Sequence, residues 1–222
     1  MNAENAGANA QTTYVKFEDL EYLAPDCDKA LLLARLKEGL ESKDWKQNNL
    51  AIDILRSINK YYPVDMNQIC QTFWKNIIEC LNSLRSALSK NTLMFVAELF
   101  QQTKGIKLHD QIIAELVPLL TMKCYNDKCF LKVEAQRAID AMVTNCVYDS
   151  TLVAFCKECF SKNAHVSELA TKVIARLIGL IGVDLPKLQP NTFRELFVTL
   201  AKVLTIVNKG NGGKEASNDD KR

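Results

Sequence analysis

The segment SKDWKQNNLAIDILRSI (residues 42–58) decides the fold. It joins a polar turn, Ser42-Lys43-Asp44, to a run whose apolar residues recur at three- and four-residue spacing. Asp44 stands where an N-cap side chain accepts from the first turn of a helix. The same design returns in LRSALSKNTLMFVAELF (84–100), DKCFLKVEAQRAIDAM (127–142) and AHVSELATKVIARLIGLIG (164–182). The starts recur roughly every 37 to 43 residues, near the period of stacked helix pairs. Such a stack offers an elongated surface bordered by two rows of loops, without a buried pocket by default. Binding is therefore expected before catalysis.

Composition agrees. The chain has 222 residues, 48% of them hydrophobic, enough for a substantial core. Only 8 Gly and 5 Pro are spread over that length, which suits long helices. There is no apolar run of membrane-spanning length. The start, MNAENAGANAQTT, lacks the basic and apolar regions of a secretory signal, so the expected location is the cytoplasm. A net charge of +2 gives no basic face for wholesale nucleic-acid binding. The 8 cysteines read as reduced thiols among apolar neighbours. Cys156 and Cys159 form a CxxC inside a helical pattern, with no second CxxC and no histidine at metal spacing, so packing is expected over a zinc site.

Along the chain, residues 1–24 read as a flexible N-terminal arm whose later part (Phe17, Leu20, Tyr22, Leu23) docks on the domain or on a partner. Residues 25–208 form the helical domain, and 209–222 a polar, disordered tail. Helices are expected at about 28–41, 45–61, 65–82, 84–104, 107–123, 127–145, 149–161, 164–182 and 190–208. The first is capped by Asp26 or Asp28 and buries Ala30, Leu31, Ala34 and Leu40. Pro118 is expected to kink or break the fifth. Pairing neighbours gives an all-α solenoid of HEAT-repeat type, about four and a half antiparallel helix pairs, with the last helix unpaired. Connections within pairs are short, and those between pairs are longer and carry the Pro and Gly residues.

The two loop edges differ in charge. The within-pair turns and the first helical turns after them hold Lys43, Lys46, Arg85, Lys90, Lys123, Lys128, Lys132 and Lys162 against Glu41, Asp44, Asp127 and Glu168. The opposite edge is roughly balanced. One edge is thus mildly basic, fit for an acidic protein surface. Trp45 heads it. Exposed there, it supplies a rigid interface anchor; the other reading is a core aromatic plugging the end of the first pair. Trp74 reads as packing. Neither His109 nor His165 has a nucleophile with an orienting group, and no phosphate loop or metal carboxylate pair is present. No enzyme activity and no cofactor are expected.

SKDWKQNNLAIDILRSI, NSLRSALSKNTLMFVAELF and KCYNDKCFLKVEAQRAIDAMVTN, in that order and separation, resemble a TOG domain, the HEAT-repeat tubulin-binding module. The wording is most similar to the ciliary TOG-array proteins (crescerins) and then to the CLASP proteins, over about residues 26–183. The resemblance implies αβ-tubulin or the microtubule lattice as partner. By position, it implies a tubulin-binding set of Trp45 with Lys43 and Lys46 in the first turn and Arg85 and Ser86 in the second. Lys128 and Lys132 follow in the third turn, Lys162 and His165 in the fourth. It also implies a cytoskeletal place in the axoneme of a cilium or flagellum. TOG domains of this kind usually have six helix pairs, more than this chain carries. The rival expectation is a structural scaffold of the axoneme that binds other proteins through the arm and the last helix, where Phe193, Leu196, Phe197, Leu200 and Leu204 have no evident partner.

Overall fold

A computed structural model describes residues 14–24, 26–102, 108–146 and 148–215, with side chains as far as 206. Among the described residues there are nine α-helices and no strand. They are α1 (Lys29–Glu41), α2 (Trp45–Tyr61), α3 (Met66–Asn82), α4 (Ser86–Gln102), α5 (Asp110–Lys123), α6 (Cys129–Asn145), α7 (Tyr148–Glu158), α8 (Ala164–Ile181) and α9 (Pro190–Glu215). Short 3-10 segments at Pro63–Asp65 and Gly182–Lys187 precede α3 and α9.

Each odd helix from α1 to α7 packs on the even helix that follows it, and the pairs stack in two layers. One layer runs α1, α3, α5, α7, α9; the other runs α2, α4, α6, α8. This is the all-α solenoid of helix pairs. Its core lies between the layers, from Leu36 and Leu40 through Phe95, Phe100 and Leu116 to Phe155, Leu177 and Leu196. The most buried helix is α4, where every residue from Asn91 to Phe100 is buried. Its neighbours α2 and α6 lie on either side of it, and α3 lies beneath.

Several expectations change. Asp28, not Asp26, caps α1, accepting from the backbone N–H of Ala30 and Leu31. The helix buries Leu36 and Leu40, while Ala30, Leu31 and Ala34 are exposed. Its leucines occupy more than one face, and the face chosen is the one with Gly39. A Cβ there would lie 2.8 Å from Ala51 Cβ, so glycine lets α2 approach. Pro118 does not break α5, which runs through it. The carbonyl it leaves without an N–H belongs to Ala114, on the exposed face where water can serve it. Helix α6 ends at Asn145 and α7 is under way at Tyr148, so this between-pair link is shorter than the within-pair turns.

Helix α9 is not without a partner. It packs on α7, burying Thr192, Leu196 and Thr199. It also runs on to Glu215, past the expected end near 208. The residues given to a disordered tail are thus helical as far as 215, and 216–222 lie outside the described residues.

The arm docks on the domain from Tyr14 onward. Leu20 is buried and Leu23 packs against the core. Lys60 Nζ donates to the carbonyls of Phe17 (2.9 Å) and Glu18 (2.8 Å). The Tyr62 hydroxyl donates to the carbonyl of Ala24, and Tyr22 meets Tyr61 edge-on at 5.2 Å. The earlier part of the expected arm, 1–13, lies outside the described residues.

Candidate docking edge

The within-pair turns are held by a device that the sequence repeats. The fourth residue of an even helix donates back to the end of the odd helix before it. Asn48 Nδ2 reaches the carbonyls of Gly39 (2.9 Å), Leu40 (3.3 Å) and Ser42 (3.0 Å). Ser89 Oγ donates to the Leu81 carbonyl at 2.8 Å, and Ser167 Oγ to that of Cys159. Each bond satisfies a carbonyl that a helix end leaves free, and so stiffens the turn. In the third pair the equivalent residue is Lys132, which is exposed instead. Caps add to this order at two turns, where Asp44 accepts from the Lys46 N–H (3.0 Å) and Asn163 from the His165 N–H (3.0 Å). In the third turn Asn126 accepts from the N–H of Lys128 (3.0 Å), before the helix begins.

On these turns the structure brings the sequence-predicted residues to one edge. Lys43, Lys46, Arg85, Lys128, Lys132, Lys162 and His165 are exposed, and Ser86 is half-buried. Contacts tie neighbouring turns together: Lys128 Nζ donates to Ser86 Oγ at 3.1 Å, and His165 stacks on Tyr125 with ring centroids 5.0 Å apart. Between the first two turns the link lies deeper, where Asn91 Nδ2 reaches the carbonyl and side-chain oxygen of Asn49, both at 3.3 Å.

Charge on this edge is less balanced than a count of residues suggests. Asp44 is occupied as a helix cap. Glu41 faces Lys37 at 4.0 Å, and Glu168 pairs with Lys172 at 2.6 Å, which pulls its carboxyl below the usual range. Lys43, Lys46, Arg85, Lys132 and Lys162, by contrast, form no salt bridge among the described residues. Lys123 is withdrawn from the edge. It is half-buried, its Nζ donates to Ser89 Oγ at 2.9 Å, and burial lowers its pKa.

Trp45 is neither fully exposed nor plugged inside. It is half-buried and packs against the core, leaving part of the indole on the edge. Sequence reasoning missed its companions. Leu84 is 99% exposed in the second turn, Met122 and Tyr125 are exposed at the third, Phe130 just beyond it, and Phe160 in the fourth. A signal existed for Leu84: it stands in a three-residue turn between Leu81 and Leu88, the residues that enter the core. An apolar side chain in such a turn has no interior to enter. The edge is thus a row of apolar residues among unpaired cations, a pattern that suits docking onto an acidic, partly apolar protein surface.

The thiols play another part. Burial pushes Cys70 up to about 12 and, with Glu79 adding to it, Cys80 up to about 11. Cys156 is likewise raised by burial to about 11, and Cys159 is raised too. At neutral pH these are protonated packing groups, including both members of the CxxC. Among the described residues no group of three or more His, Cys, Asp or Glu is placed to hold a metal, and no helix is long and apolar enough to cross a membrane.

The family model for the CLASP N-terminal domain matches residues 32–205, most of the chain. No curated protein matches it. The match spans all four helix pairs from within α1 and ends inside α9, so it includes every turn of the docking edge. The chain belongs to the CLASP N-terminal family: it is a TOG-type domain of HEAT-like helical repeats, in a family associated with microtubules.

Proposed function

We propose that this domain binds αβ-tubulin, as free dimer or in the microtubule lattice, through the edge formed by its within-pair turns. The observation that carries this reading is the composition of the edge. Trp45 and Leu84 offer apolar anchors, and Lys43, Lys46, Arg85, Lys132 and Lys162 lie outside the salt bridges of the described residues. Beside them are Glu41, Asp44 and Glu168, which are engaged within the chain, and the exposed Asp127. Lys128, Ser86 and His165 complete the row through contacts that fix neighbouring turns relative to one another. The domain acts by docking, without chemistry and without a cofactor. Its sequence wording supports the crescerin type within the family and, with it, a place on axonemal microtubules of a cilium or flagellum.

A second reading rests on α9. Phe197 and Leu204 are 55% and 62% exposed on the side turned away from α7, so this helix can contact another axonemal protein. The arm is a weaker candidate for that role, because Leu20 and Leu23 are spent on the domain itself.

Gel filtration with free αβ-tubulin and pelleting with stabilised microtubules test the main reading. Trp45→Ala is expected to weaken binding by about 2 kcal/mol or more, as interface hot spots do. Because Trp45 also packs on the core, Leu84→Ser is run beside it; Leu84 touches little else and its loss leaves the fold intact. Undiminished binding by both variants would remove the edge from the interface.

A further inference from the structure

The family match begins at Leu32, yet an ordered segment precedes it and lies against the domain. This segment is anchored at one end by Lys60, Tyr61 and Tyr62, near the end of α2 remote from the docking edge. At its other end it arrives at the edge. The Tyr14 ring lies under Lys90 Nζ at 4.0 Å, and Phe130 lies 5.8 Å from the same ammonium. Lys90 is in the second turn of α4 and Phe130 in the first turn of α6, beside the Lys128–Ser86 contact that joins the second and third turns.

We propose that the arm is a working part of the docking edge, in which Tyr14 holds the Lys90 ammonium against Phe130 and so presents one further fixed cation between the second and third turns. This rests on the reading of the edge as a tubulin-binding surface and adds a residue that lies outside the family match. The physical reason is preorganisation. A free lysine is a flexible stem that must be ordered when a partner carboxylate meets it. Seated on a ring face, the ammonium is confined beforehand, and its N–H groups directed away from the ring remain able to donate. Tyr14 is a positioning residue here, and Lys90 the one that meets the partner.

The test is titration of tubulin with the full chain and with Tyr14→Leu, Tyr14→Phe, Lys90→Ala and the Tyr14→Leu/Lys90→Ala double variant. Leucine keeps apolar cover over the site but removes the ring face, whereas phenylalanine restores it. Tyr14→Leu is expected to bind about three- to fivefold more weakly, the scale of one exposed cation–π contact. Tyr14→Phe should bind like the parent. Lys90→Ala should lose at least as much as Tyr14→Leu, with no further loss in the double variant, since both remove one coupled interaction. Parent-like binding by Tyr14→Leu, or losses that add in the double variant, would overturn the proposal while leaving the edge in place. A parent protein that binds no tubulin would instead strike the function itself.

Discussion

Two of the arginine–carboxylate pairs that join neighbouring helices of the even layer have opposite surroundings. Arg56 of α2 is fully buried, and its guanidinium grips Glu98 of α4 with two bonds of 2.8 Å. Arg176 of α8 pairs with Asp140 of α6, with 47% and 46% of the two side chains exposed. The first pair is also surrounded by polar partners. Asn91 accepts from Arg56 at 3.0 Å and Asp53 at 3.3 Å, and Arg137 approaches Glu98 at 3.9 Å. Burial alone would lower the Arg56 pKa, but the hydrogen bonds and charges of Glu98 and Asp53 together outweigh it and raise it. One kind of link is thus a sealed cluster in the α2–α4–α6 part of the solenoid and a wet surface pair near α8. The difference follows how closely the helices pack: α2 lies closely along α4, whereas α8 makes only slight contact with α6.

Breaking each pair sharpens that contrast. Arg56→Ala strands the Glu98 carboxylate in the interior and is expected to cost about 3–5 kcal/mol in urea unfolding. Arg176→Ala should cost less than about 1 kcal/mol, as exposed pairs do. Equal costs would mean that the buried cluster is no more sealed than the surface pair. A second contrast lies along α9. Leu196 is buried against the body, and Leu196→Ala should destabilise by about 2–5 kcal/mol. Phe197 touches Phe193 at 4.6 Å but is mostly exposed, so Phe197→Ala should cost about 1 kcal/mol or less. Reversed effects would show that α9 seats its other face on α7.

Stability should also depend on pH, through the buried thiols. Burial raises Cys70, Cys80 and Cys156 in the folded state to about 12, 11 and 11, from their ordinary value of 9.0. Above pH 9 the unfolded chain releases these protons while the folded chain retains them. Stability is therefore full below pH 9 and declines above it, by about 1.4 kcal/mol per pH unit for each thiol until its folded value is reached. Thermal unfolding between pH 8 and 10.5 measures the slope, and Cys70→Ala should make it shallower. An unchanged slope would mean that the Cys70 thiol ionises as freely folded as unfolded.

Much of the candidate site was legible because it depends on local rules. Asp44 and Asn163 cap helices for reasons contained in a few neighbouring residues, so the turns and their lysines fall where periodicity puts them. The charge of the edge was only partly legible. Nothing in the spacing says that Glu168 is consumed by Lys172, or that Lys123 turns inward to Ser89 across a helix pair. Trp45 shows the same limit: its position at the head of the edge is a sequence property, while its half-burial depends on what α1 and α2 leave open.

Local rules along the chain are enough to specify a stack of antiparallel helix pairs, with a tryptophan and basic residues on the short turns. Helical period, caps and turn length act within a few residues, and they need no knowledge of the rest of the chain. Only the tertiary structure decided which face of α1 is buried, that α9 rests on α7, and that the arm crosses to bring Tyr14 to Lys90. Those outcomes turn on competition between apolar faces of similar strength and on contacts between residues far apart in the chain. Such contests are settled by which surfaces remain uncovered once the pairs have stacked.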